Sequence, residues 1–149
     1  MRRVNGFTLI ELLIVVSIIG IIAAIAVPNL LTAMDRTKQK KTMADMRAIG
    51  TACENYSIDY NYYPIQPTQG AVSQISGDIT PSYIKQVPPL DGWNWPLQYG
   101  TSAGGSAYTI RSFGKDGQKN GGGGATSDFN CDIIFQQGVF TSYPQGAQN

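Results

Sequence analysis

The residues of this chain that could do chemistry are a few carboxylates and two thiols. Asp116, Asp128 and Asp132 bracket the glycine-rich stretch SFGKDGQKNGGGGATSDFNCDI. Calcium takes six to eight oxygens from carboxylates and main-chain carbonyls, and glycines let carbonyls turn inward. The spacing is not that of an EF-hand loop, so on chemistry alone a solvated glycine linker is the better reading. A phosphate cradle is excluded, because GxxxxGK[ST] is absent. Histidine is absent too. That removes His-based zinc sites, Ser-His-Asp and Cys-His nucleophiles, and histidine pH switches. No nucleophile, base or pocket signature accompanies the aspartates, so the chain does not read as an enzyme. Cys53 and Cys131 are too far apart for a CxxC motif. A disulfide between them and a pair of separate thiols both remain open, since a bond needs Cα atoms about 4.4–6.8 Å apart. Asn55-Tyr56-Ser57 has the form of a glycosylation triplet but falls within a helical stretch and reads as chance.

One acid stands apart. Glu11 lies near the start of the apolar run GFTLIELLIVVSIIGIIAAIAVP, and no charged residue follows it from Leu12 to Met34. That length suffices for a transmembrane helix. Sixteen Leu, Ile, Val and Phe residues lie between Phe7 and Leu31. They favour insertion by roughly −5 to −10 kcal/mol. One central acid opposes it by roughly +2.5 to +3.5 kcal/mol. Insertion wins, and Arg2 and Arg3 favour a cytoplasmic N-terminus. With no Lys or Arg beside it in the run, Glu11 either reaches water at the membrane edge or awaits a partner from elsewhere.

The elements that position these groups follow from periodicity. Met43, Met46, Ile49, Cys53, Tyr56 and Tyr60 recur at steps of three and four, one face of a helix. A helix from Phe7 to about Tyr60 would be roughly 80 Å long. Pro28 should kink or loosen it, and Gly20 weakens the turns before. Pro64 and Pro67 should end it, and a loop of little periodicity runs on to about Thr80. PSYIKQVPPLDGWNWPLQYG reads as turns over a small core. Residues 106–113 alternate as a strand, with Leu97–Gly100 as a hairpin partner across Gly104-Gly105. Ile133–Phe135 and Val139–Tyr143 are further strands. The expected fold class is α+β: a long N-terminal helix, its hydrophobic half protruding, packed on a small antiparallel β-sheet. The division is a leader over 1–6, an apolar helix over 7–34, its amphipathic continuation over 35–63 and a β-rich domain over 64–149. Net charge is +1, which gives no reason to expect nucleic acid.

Gly6-Phe7-Thr8-Leu9-Ile10-Glu11 resembles the processing site of type IV pilins and type II secretion pseudopilins. The resemblance implies a type IV pilin-like fold. It also implies cleavage by a prepilin peptidase between Gly6 and Phe7, and N-methylation of Phe7. Glu11 would then meet the new Phe7 amine of a neighbouring subunit, a pairing that sets assembly register. In such a family the helix melts locally between Gly20 and Pro28 during fibre assembly. The order YIKQVPPLDGWNWPLQY, SFGKDG, glycine run and DI is similar to the globular domain of the major pseudopilin, which binds structural calcium in this loop. Asp116, Asp132 and the Phe113 carbonyl match the ligand pattern; Asp128 is an added candidate. The chain departs in its long loop, in lacking Trp after the DI pair and in its extended tail.

The implied function is a fibre subunit of a type II protein secretion system. Its partners would be copies of itself, minor pseudopilins, and an inner-membrane assembly platform with its ATPase. The chain would rest in the bacterial inner membrane and then enter a periplasmic fibre. The alternative is a type IV pilin of a surface fibre for adhesion, twitching or DNA uptake.

Overall fold

A single helix, α1, runs from Leu9 to Tyr60. The computed structural model describes residues 6–145. Met1–Asn5, and with them Arg2, Arg3 and most of the expected leader, lie outside the described residues, as do the last four residues of the tail. The chain divides into two compact units, residues 1–36 and 37–149.

In the first unit α1 starts two residues later than expected. Thr8 sits where the cap belongs, and the first helical bond runs from the Leu12 N–H to the Thr8 carbonyl at 3.4 Å. The large apolar side chains from Phe7 to Met34 are exposed on every side of the helix. This segment is long and apolar enough to cross a membrane. Pro28 lies inside α1, and the helix continues through it. The Thr32 hydroxyl donates to the Pro28 carbonyl at 3.0 Å.

In the second unit the expected face of α1 becomes a core face. Met43, Met46, Ile49, Cys53 and Tyr56 are all buried, but Tyr60 is half exposed. It stacks on Tyr56 at 4.4 Å between ring centroids instead of entering the core. The helix ends before the prolines act. Asn61 adopts a left-handed backbone, φ 62°, and its N–H donates to the Ser57 carbonyl at 2.8 Å. A left-handed residue just past the last turn is a common helix stop, and Asn tolerates it.

The stretch expected to be an irregular loop to Thr80 contains three short elements. They are strand β1 (Gly70–Ala71), a 3-10 turn (Val72–Ile75) and helix α2 (Ser76–Ile79). Val72, Ile75 and Ile79 are buried. Spaced three and four apart, they anchor this segment to the core.

Strands β2 (Gln98–Thr101) and β3 (Tyr108–Ser112) form the expected hairpin, with Tyr99 opposite Ile110. The connection needs Gly104 and Gly105, both at positive φ. β3 pairs antiparallel with β5 (Ile133–Gln136). A tight turn at Gln137-Gly138, again both at positive φ, leads into β6 (Val139–Pro144). Two positive-φ residues match the twist of a two-residue hairpin. The sheet is mostly antiparallel but departs from the purely antiparallel arrangement expected. β4 (Gly124–Thr126), from the glycine run itself, pairs parallel with β6. The order across the six strands is β1-β2-β3-β5-β6-β4. Tyr99, Tyr108, Ile110, Ile133 and Phe135 meet the buried face of α1.

The DGWNWP turn fixes how closely the helix approaches. Asp91 is fully buried. Its Oδ1 accepts the N–H groups of Trp93 and Trp95, each at 2.9 Å. Its Oδ2 accepts the Ser112 hydroxyl at 2.7 Å. Gly92 then lies against the backbone of α1, where any Cβ would run into the Lys38 carbonyl. Its N–H donates to the Thr42 hydroxyl at 2.9 Å.

Two substitutions test this turn by denaturant unfolding of the chain in detergent. Gly92→Ala should lower stability by about 1–3 kcal/mol, because the obstacle is helix backbone and cannot swing aside. Asp91→Ala strands three donors at once and should cost about 3 kcal/mol or more. An unchanged midpoint for either would contradict the assignment.

Candidate functional site

Two places carry the polar groups singled out in the sequence, one in each unit. In the first unit the sequence TLIE has the form of a capping box, Thr at the cap and Glu three residues on. The geometry is that of such a box. Glu11 Oε2 accepts the Thr8 N–H at 2.9 Å and the Thr8 hydroxyl at 2.6 Å. The Glu11 N–H in turn donates to the Thr8 hydroxyl at 3.3 Å. The acid thus satisfies the end of its own helix, a local role overlooked when it is weighed only as a membrane charge. Both side-chain bonds fall on Oε2, and Oε1 has no hydrogen-bond partner among the described residues. Gly6 and Phe7 precede the cap and are exposed.

In the second unit the segment from Phe113 to Asp132 leaves the end of β3 and returns to the start of β5. Asp132 is completely buried. Its Oδ2 accepts Arg111 Nη1 at 2.9 Å, an ion pair whose guanidine side chain is 17% exposed. Its Oδ1 accepts the Asn120 N–H at 3.0 Å, and its main-chain carbonyl accepts the Ser142 hydroxyl at 2.6 Å. Asp116 joins the same network through Asn120, whose amide nitrogen donates to Asp116 Oδ2 at 2.8 Å and to the Asn130 carbonyl at 3.1 Å. Asp116 Oδ1 accepts the Gln118 N–H at 3.0 Å. The structure therefore brings Asp116 and Asp132 to one residue, Asn120. Asp128 touches this network at its edge, through Asn130, whose N–H its exposed carboxylate accepts at 2.9 Å. Phe113 is half-buried at the exit of β3.

Whether these residues suit a metal can be judged from the donors. Gly114 has φ +68°, and a Cβ there would fall 2.8–2.9 Å from the carbonyl oxygens of Phe129, Asn130 and Cys131. Three successive carbonyls thus close in on Gly114; the Phe129 carbonyl accepts the Lys115 N–H at 2.9 Å, and the Asn130 carbonyl shares Asn120 with the two carboxylates. An all-oxygen set of this kind suits a hard cation such as calcium. Among the described residues no three acidic, Cys or His side chains gather at one point, so carbonyls would have to supply much of the coordination.

The thiols are not bonded. Cys53 and Cys131 are both free. Cys53 is buried in the core, where loss of water pushes its thiol up to about 12 despite a hydrogen bond with Tyr99. Cys131 stands just before β5, beside the Ser112 end of β3, whereas Tyr108, close enough to Cys53 to feel its charge, begins that strand. Four strand steps, roughly 13 Å, separate those ends.

Arg111 and Asn120 are the participants that residue types alone did not reveal. Arg111 could have been suspected from the alternation of SAYTIRSF, which leaves a cation beside the strand that Asp132 joins. Nothing in the sequence marks Asn120.

Comparison with known proteins bears on both places. The family described as type II secretion system (T2SS), protein G, matches residues 29–131. The prokaryotic N-terminal methylation motif matches residues 1–27. The chain is similar to the type II secretion system core protein G of Pseudomonas aeruginosa, 34% identical over 89% of this chain and 94% of that one. It is 33% identical to the core protein G of Vibrio cholerae, over 89% of this chain and 95% of that one. The corresponding protein of Escherichia coli is 31% identical over 76% of this chain and 83% of that one. On these matches, which take in the methylation motif, the amphipathic helix and most of the sheet, the chain belongs to the type II secretion system protein G family.

Proposed function

We propose that this chain works by polymerising: as the major pseudopilin of a type II secretion system, it leaves the membrane and packs into a periplasmic fibre. The observation that carries this reading is an apolar helix exposed on all sides over Phe7–Met34, matched to the N-terminal methylation motif and followed by a folded domain. Lipid covers such a surface before assembly, and like helices cover it afterwards, at roughly 25 cal/mol per Å² kept from water. The names of the relatives favour this role over that of a surface type IV pilin.

In this reading a prepilin peptidase cuts between Gly6 and Phe7, and the new Phe7 amine is methylated. Glu11 keeps Oε2 on Thr8 and offers Oε1 to the amine of a neighbour. A charge placed wrongly in the bundle would stay buried and unpaired, which penalises every other register. The assembly platform and its ATPase in the inner membrane supply subunits, and minor pseudopilins join the same fibre. Local melting between Gly20 and Pro28 would let the helix adapt to the bundle, since Pro28 lacks the N–H for a regular helical bond.

The loop over 113–132 is read as a structural calcium site. Support comes from the carbonyls behind Gly114 and from Asp116 and Asp132, which share Asn120. The residues that would hold the ion are Asp116, Asp132 and carbonyls of the loop, with Phe113 and Asp128 as further candidates. Calcium would tie the two ends of the loop together on the domain surface.

Two experiments follow. Glu11→Leu should insert in the membrane normally but give at most about a tenth of the wild-type fibre yield, scored by electron microscopy of sheared fibres; normal fibres would contradict the assembly role. Calcium should raise the melting temperature of the detergent-solubilised chain by several degrees, and chelator should reverse it, on the order of 2–4 °C per kcal/mol of stabilisation by bound ion. A melting temperature indifferent to both would remove calcium from the account.

A further inference from the structure

Arg111 does more than fill the outer face of the sheet. Its guanidinium reaches Asp132 at 2.9 Å while 17% exposed, and the carboxylate it meets has no exposure at all. Arg111 Nε is also buried and has no hydrogen-bond partner among the described residues. A carboxylate so enclosed needs a positive partner, and removing that partner leaves a buried charge uncompensated. The same Asp132 carries the Asn120 N–H on its other oxygen. Asn120 in turn holds Asp116 and the Asn130 carbonyl. The guanidinium therefore sits at the root of the network that closes the loop.

We propose that Arg111 is the resident cation of the 113–132 loop. It holds the loop closed in the absence of metal, and it weakens the loop's affinity for calcium by sharing Asp132. The second half of this statement rests on the calcium reading above; the first half does not. Arg111 is thus a positioning residue, acting through Asp132 and Asn120. It turns an all-or-none dependence on metal into a graded one. With calcium scarce, the loop keeps its shape through the ion pair. With calcium plentiful, the ion adds rigidity to a loop already formed. The opposing effects can be ranked. Removing Arg111 loosens the loop, which weakens calcium binding, but it also removes the positive charge from the buried carboxylate that the ion would share. The charge effect outweighs the lost ordering, because the entropy of closing even a long loop grows only slowly with its length.

The test uses the full chain in detergent, with calcium chloride or EDTA as the only additions. Amide hydrogen exchange over residues 114–132 reads loop closure, and calorimetric titration reads calcium affinity. In EDTA the wild-type loop should be protected, the Asn120 amide included. Arg111→Gln should lose that protection by at least about tenfold in exchange rate and regain it with calcium, while binding calcium about tenfold more tightly. Arg111→Lys keeps the charge and should protect the loop in EDTA to within a few-fold of wild type. A wild-type loop that exchanges freely in EDTA overturns the proposal without any variant; should Arg111→Gln fail to fold, the Arg111→Lys comparison carries the test, and loss of protection there overturns the charge role. Equal protection of wild type and Arg111→Gln in EDTA overturns it as well. Weaker or unchanged calcium affinity in Arg111→Gln overturns the competition with metal. Absence of calcium binding by every protein refutes the calcium reading and the competition together, and the EDTA comparison then decides alone whether Arg111 closes the loop.

Discussion

One buried stripe holds the folded domain together: the face of α1 from Met43 to Tyr56, pressed against the side chains of β2, β3 and β5. Every other element is placed by reference to it. The sheet needs that stripe because its strands are only two to six residues long and could not persist alone. The helix needs the sheet because one apolar face left in water would be costly at roughly 25 cal/mol per Å². Small residues set the spacing. Gly50 faces the Phe135 ring and Gly92 faces the Lys38 carbonyl, and in both places a side chain would push helix and domain apart.

Two buried carboxylates organise what the apolar contacts leave undefined. Asp91 gathers the tryptophan turn and ties it to Ser112 at the end of β3. Asp132, at the start of β5, gathers the long loop and ties it to Arg111 on β3. The Ser112 hydroxyl also accepts the Gly114 N–H at 3.3 Å, so the two networks meet at the point where the loop departs. Trp95 seals the junction: its indole N–H donates to the Lys115 carbonyl at 3.3 Å, and its ring lies where a side chain at Gly117 would be. The shape of the loop is thus determined mainly by its roots, which are buried, rather than by its glycine-rich middle, which is exposed.

Periodicity made the helix, the β2-β3 hairpin and the two last strands legible, because each has a regular face to bury. Short elements were harder to see. β1 and β4 have two and three residues, too few for any alternation to register, and β4 consists of a glycine, an alanine and a threonine. Its parallel pairing with β6 depends on a partner almost twenty residues away. Proline suggested where α1 should stop, yet Asn61 stops it first by its left-handed backbone. Glu11 stands out in the sequence as an anomaly in an apolar run, while its bonds to Thr8 are a purely local matter of a cap three residues upstream. Asp116 and Asp132 were visible as acids near glycines; that one asparagine would join them depends on how the loop folds back, which no local pattern encodes.

The parallel strand β4 has a further effect. Without it, β6, the longest strand of the sheet, would present an open row of amides and carbonyls to its surroundings. Where identical domains crowd at high local density, such a row invites strand addition from a stranger. A fringe of three small residues covers its Ser142–Pro144 half instead and offers little to pair with in its turn. In the proposed fibre, an edge blunted in this way would discourage neighbouring domains from joining strand to strand.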